Sequence, residues 1–226
     1  MKALTTGQFL LTTYHPLVTT KPGRLASGRY NLPPFIDGSI RREPDLEHVR
    51  PAITCLCRTD RFAPRIGVGD LVAYITAKRS YGGNTPHRRL TAVLQAERRF
   101  NSHSEAADSY RDERLDLPNN LLVAGNEPRP IDRSNRSNRN SHLPDPEWQE
   151  AWNDEYAERA REHGRVVACR PLFVDVSWAA PIVSDETLVG VFGRVPGTQN
   201  PPRFPNDRLL ELLAAVGGST LQGDSD

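Results

Sequence analysis

The chain has 226 residues, 37% of them hydrophobic, enough to build one large domain around a core of its own. Its 29 Lys and Arg stand against 28 Asp and Glu, a formal charge of +1, so a surface for a polyanion must come from local clustering and not from overall excess. No apolar run approaches the roughly 20 residues of a membrane span; no apolar signal segment follows Met1-Lys2, and three cysteines make no disulfide framework, which predicts a cytoplasmic protein with no membrane partner.

In chain order, 8–13 (QFLLTT) reads as a first strand that ends in Tyr14-His15-Pro16, where the proline stops pairing. Residues 19–34 read as a long basic loop, with Lys21, Arg24 and Arg29 between Pro22-Gly23 and Pro33-Pro34. The segment 35–48, FIDGSIRREPDLEH, carries the densest chemistry. Asp37-Gly38 is a turn signal, and Arg41 and Arg42 sit beside Glu43, Asp45 and Glu47. Two readings of Asp37 stand side by side: a carboxylate offered to a ligand, or an Asx-turn cap next to arginines that pair with the neighbouring acids. Residues 51–58 (PAITCLCR) read as an inner strand with Cys55 and Cys57 on one face. Cys55, Cys57 and His48 lack the paired spacing of a zinc site, so no metal is expected.

The centre of the chain runs from Gly67 to Phe100. Residues 70–76 and 90–96 are β-rich and alternate, and between them KRSYGGNTPHRR forms a hairpin loop that breaks at Gly82-Gly83. That loop carries Lys78, Arg79, Arg88 and Arg89 with Tyr81 and no acid; Arg58, Arg61 and Arg65 precede it. Ser102 and Glu105 have capping-box spacing for a short helix over 103–112, and 121–124 reads as a further strand. Residues 127–145 are a polar insertion in which Arg133, Arg136 and Arg139 recur among Ser and Asn, either lying along phosphates or forming a surface loop with no partner. A helix opens at Asp145-Pro146 and stops at Gly164, with Trp148, Trp152 and Tyr156 in one packing stripe. Strands are expected at 166–169, 172–176 and 187–192, with Asp175 as a second candidate acid. The apolar face of Leu209, Leu210, Leu212, Leu213 and Val216 gives a final helix.

A VGDLVAY strand that follows an Arg-rich turn and precedes a strand and a short helix resembles the core of PUA-like domains, the ASCH, EVE and YTH group. The ordered pair Asp37-Gly38, in FIDGSIRREP, then Gly69-Asp70 resembles the nucleotide-modification-associated domains within it. The likeness covers roughly the first half of the chain. It implies an α+β fold: a mixed, partly closed β-barrel with peripheral helices and long basic loop insertions, forming a single domain over 1–226. It also implies recognition of modified bases, with DNA favoured over RNA. Strand ends would surround the cleft, where Tyr14, His15, Arg41, Arg42 and Tyr81 would hold a base. Arg58, Lys78, Arg79, Arg88, Arg89, Arg133, Arg136 and Arg139 would meet phosphates.

No Gly-rich phosphate loop, G-x-S-x-G, HExxH or paired CxxC is present, so no cofactor is implied, and chemistry would fall to carboxylate, His or Tyr with water. The favoured expectation is a cofactor-independent DNA glycosylase acting on a hypermodified base in defence against phage, with Asp37 as the catalytic carboxylate. A non-catalytic reader of modified bases in DNA or RNA is the alternative, and an interaction domain is the third.

Overall fold

The computed structural model describes residues 7–128 and 144–217. Seven strands form one mixed sheet: β1 (Gln8–Tyr14), β2 (Ala52–Thr54), β3 (Leu71–Thr76), β4 (Arg88–Phe100), β5 (Val166–Val174), β6 (Ile182–Val183) and β7 (Arg203–Pro205). The order is β2-β5-β4-β3-β1-β7, with β6 on the outer part of β4. β1 and β3 run parallel, Leu10 opposite Val72, and the other pairs are antiparallel. The α+β class is as expected, but the sheet is open. β2 and β7 are its edges and do not meet, so the partly closed barrel is corrected to an open sheet.

Period-two alternation sends side chains to two cores. Leu10, Tyr14, Val72, Tyr74 and Leu94 face the chain between β2 and β3, where Phe62 and Ile66 cover them. Phe9, Leu11, Leu71, Ala73 and Val93 face helices α4 (Asp185–Phe192) and α5 (Asn206–Ala215), which bring Leu188, Val191, Leu209 and Leu212. Burial on both faces explains why β1 and β3 read as nearly continuous apolar runs.

Helix α2 (His103–Asp112) starts at the expected Ser102 cap, with the Glu105 side chain reaching one residue further back than a capping box has it. Ser102 Oγ accepts from Glu105 N (3.1 Å) and Glu105 Oε2 accepts from Asn101 N (2.8 Å). Helix α3 (Asp145–Glu162) lays Trp148 and Tyr156 against Ile40 and Leu56, with Trp152 half-buried beside them.

Several expected elements differ. The loop at 19–34 contains helix α1 (Lys21–Tyr30): Thr20 Oγ1 accepts from Gly23 N, Pro22 fits the first turn, and Asn31 closes it in the left-handed region. Gly23 is required there, because a Cβ would lie 1.7 Å from Leu17 O. The strand expected over 51–58 stops at Thr54, whose Oγ1 accepts from Leu56 N and turns the chain. Residues 121–124 form turns held by Asn126 Nδ2 on Pro118 O and Leu121 O. The two strands at 166–169 and 172–176 are the single β5, whose register slips next to Pro171. Residues 187–192 belong to α4 because Ser184 Oγ caps Thr187 N and acids fill the first turn. The insertion arginines Arg133, Arg136 and Arg139 lie outside the described residues.

Candidate functional site

At the C-terminal end of β1 the chain folds back on itself. Pro16 bridges to Asp37, Leu17 N donates to Ile36 O (2.8 Å) and Gly38 N donates to His15 O (3.0 Å). Gly38 permits this approach, since a Cβ would sit 3.1 Å from His15 O. The fold-back sets Asp37 beside Tyr14 and His15 on the wall of a cavity of about 530 Å³, the size of a small-molecule pocket. β3 adds Tyr74, α3 adds Tyr156, and the chain after β2 adds Cys57, Arg58, Arg61 and Phe62. Tyr14 and Phe62 both meet the Tyr74 ring edge-on, at 6.2 and 6.3 Å between centroids. The Tyr14 hydroxyl donates to Phe35 O, whereas those of Tyr74 and Tyr156 make no hydrogen bond among the described residues.

Asp37 is 5% exposed. Its Oδ1 accepts from Ser39 N (2.8 Å), Ser39 Oγ and Glu43 N (3.1 Å). The Asx turn is therefore present, and Oδ2 remains without a hydrogen-bond partner among the described residues. Both readings of Asp37 fit one geometry: one oxygen builds the turn and the other is free for a ligand. Burial raises the Asp37 pKa; the Ser39 and Glu43 bonds and the Arg42 guanidinium oppose the rise.

Glu43 lies behind it. Oε1 accepts from Thr54 N (2.9 Å), and Oε2 accepts from Thr54 Oγ1 (2.5 Å) and Asn120 Nδ2 (2.9 Å). Burial, with the Asp37 charge adding to it, pushes Glu43 up to about 7 against the three donors. A carboxyl raised on folding holds its proton in the native state where the unfolded chain has lost it. Glu43 therefore makes stability fall as pH rises from about 4.5 to about 7. His103, which burial lowers to about 4, acts in the opposite sense. The contrast with Glu43→Gln isolates the Glu43 part. From about pH 5 to about pH 8 wild type is expected to lose on the order of 3 kcal/mol relative to the variant. Urea midpoints at both pH values check this, and parallel changes in the two proteins would contradict it.

The structure brings Tyr14, His15, Asp37 and Arg58 to one cavity and places the other candidates among the described residues elsewhere. Arg58 is held by main chain, on Thr13 O (2.5 Å), Thr198 O (2.7 Å) and Gln199 O (2.9 Å), so it clamps the rim. Arg41 is a buried strut that reaches Asn153 Oδ1 (2.6 Å) and Asn126 O (2.6 Å). Arg42 is buried under Asp37 and donates to its carbonyl. Neither lines the cavity. Tyr81 packs edge-on to Phe35 at 5.3 Å and donates its hydroxyl to Ala77 O. Lys78 and Arg88 converge on the two oxygens of Asp185 at 2.5 Å each, and Arg89 donates to Ala180 O (2.6 Å). Arg79 is exposed and spends one nitrogen on Lys78 O (2.9 Å). Asp175 accepts from Ser177 N and Oγ in an Asx turn and does not line the cavity.

Glu43, Tyr74, Tyr156, Phe62 and Arg61 are among the cavity residues that sequence reasoning did not single out for it. Tyr156 was visible as part of the α3 stripe, and Tyr74 as an alternating strand position. Their convergence depends on three separate elements. His15, at the mouth, has its pKa lowered by partial burial and then by the Arg79 and Arg58 charges, so it is the neutral imidazole that faces a ligand at neutral pH. Chemically, the cavity offers flat aromatic walls, a buried carboxylate oxygen free to accept a proton or an N–H, and a cationic rim at Arg58 and Arg61. No protein-family model matches the chain, and no curated protein or solved structure matches it either.

Proposed function

We propose that the cavity receives a hypermodified nucleobase flipped out of DNA, and that Asp37 drives cleavage of its N-glycosidic bond. The observation that carries this reading is the free Oδ2 of buried Asp37 inside a pocket walled by Tyr14, Tyr74, Tyr156 and Phe62. Aromatic walls stack a base that has left the duplex, and a carboxylate stabilises positive charge developing on the sugar. In the reaction, water oxygen bonds to C1′ and the C1′–N electron pair departs with the base. Asp37 takes the water proton and passes it to the leaving nitrogen, and a volume of about 530 Å³ admits a base larger than cytosine. The PUA-like resemblance belongs to this proposal: it supports a base-binding cleft at the strand ends and a role in defence against phage with modified DNA. No cofactor is required. A second reading, a reader that binds without cutting, is favoured by the three hydrogen bonds that Asp37 Oδ1 accepts from Ser39 and Glu43, a turn-building role that accounts for a buried aspartate without chemistry.

The test is incubation with DNAs carrying normal, hydroxymethylated and glucosylated cytosine. Mass spectrometry of free base and alkaline cleavage at abasic sites provide the readout. Release from a modified DNA alone is the expected result. Tight retention without release assigns the reader, and neither release nor retention overturns both.

A further inference from the structure

Outside the cavity, the turn after β5 presents Trp178 with 52% of its surface exposed, while Trp148 is buried and Trp152 half-buried. It is the most exposed of the three tryptophans and, among the described residues, the one large aromatic ring beside the basic hairpin tip that faces solvent to this extent. This one is also held firmly. Its ring stands edge-on to Phe35 at 5.2 Å and 73°, and Arg89 donates to its carbonyl (3.2 Å) while lying 5.7 Å over the same Phe35 ring. The Asx turn at Asp175 and Ser177 fixes the backbone that precedes it.

Phe35 links this ring to the cavity. Its carbonyl takes the Tyr14 hydroxyl from the cavity wall, and Asp37 follows two residues later. The β3–β4 hairpin tip lies on the other side, where a Cβ on Gly82 would be 4.0 Å from the Trp178 ring. Of the hairpin cations, Lys78 and Arg88 are neutralised by Asp185, while Arg79 and Arg89 enter no ion pair among the described residues. A fixed, half-exposed indole with the Arg89 guanidinium at its carbonyl, and with Arg79 exposed on the same hairpin, matches the chemistry of a base carried on a phosphodiester strand: a flat π-face with negative charge beside it.

We infer that Trp178 is a stacking platform for a nucleobase neighbouring the one held in the cavity, with Arg79 and Arg89 supplying charge for the phosphates between them. This rests on the nucleobase reading of the cavity and extends it from a single base to a strand. A free modified base would engage the cavity and leave Trp178 bare.

The experiment uses a single-stranded oligonucleotide with one glucosylated hydroxymethylcytosine and, separately, the modified nucleoside alone. Acrylamide quenching reports chiefly on Trp178. The oligonucleotide is expected to shield it and the nucleoside to leave it open. Trp178→Ala is expected to weaken oligonucleotide binding about ten-fold or more, Trp178→Phe to restore most of it, and nucleoside binding to be the same in all three. Oligonucleotide binding by Trp178→Ala within two-fold of wild type overturns the platform and leaves the cavity reading intact. Trp178-dependent binding that is indifferent to the modification supports the platform and counts against the cavity reading. Absence of oligonucleotide binding by wild type at low salt overturns the platform.

Discussion

Asp37→Asn is expected to lower base release by roughly 100-fold or more while retaining affinity for modified DNA and leaving the fold intact. The substitution is nearly isosteric. Asn Oδ1 can still accept from Ser39 N, Ser39 Oγ and Glu43 N, so the turn that joins β1 to the Arg41–Arg42 segment survives. What disappears is the charge and the proton-accepting oxygen on the cavity side. An amide there donates where a carboxylate accepts, so it neither takes the water proton nor stabilises a cationic sugar. Single-turnover release measured beside equilibrium binding separates the two effects. Release within a few-fold of wild type would remove Asp37 from the chemistry, and loss of affinity without any loss of turnover would favour a reader. Because burial raises the Asp37 pKa, release is expected to fall on acidification as the carboxylate takes up a proton.

Trp148→Ala carries the largest expected loss of stability, about 3–5 kcal/mol. Trp148 is 1% exposed and packs with Ile40, Leu56 and Tyr156, which join α3 to the segment holding Asp37 and to the chain after β2. Tyr156 shares this cluster and also lines the cavity wall. The effect should therefore appear twice: in the urea midpoint and in weakened base binding. Trp152→Ala, at a half-buried position, should cost clearly less. A Trp148→Ala midpoint shift worth under about 1 kcal/mol would contradict the packing described for α3.

Local signals gave the parts of the fold that depend on local physics. The β-rich apolar runs of β1 and β3, the Ser102–Glu105 capping box and the apolar stripes of α3 and α5 all act within a few residues. Helix α1 was hidden because Gly23 and Gly28 lower helix propensity, although Thr20 and Pro22 carried its start signal. Helix α4 was hidden because Leu188, Val189, Val191 and Phe192 suit a strand, and the Ser184 cap decides the matter. Barrel closure is a property of whether β2 and β7 meet, which no local pattern encodes. The same holds for the site. Asp37, Tyr14 and His15 lie near one sheet end and were legible together, whereas Tyr74 and Tyr156 arrive from distant elements. The basic hairpin shows the limit most clearly. Its charge was plain in the sequence, but Asp185, which pairs with Lys78 and Arg88, lies 107 and 97 residues away.

The measurement closest to the central claim uses Cys57. The residue is exposed and lines the cavity, while Cys55 and Cys169 are buried; desolvation raises the Cys57 thiol pKa, so prolonged labelling with an alkylating reagent at mildly alkaline pH reports cavity occupancy at one position. Labelling followed by mass spectrometry, with increasing DNA carrying glucosylated hydroxymethylcytosine, should show Cys57 protected by that DNA and open in the presence of unmodified DNA of the same sequence. Equal labelling at every concentration of either DNA would contradict a nucleobase-binding cavity.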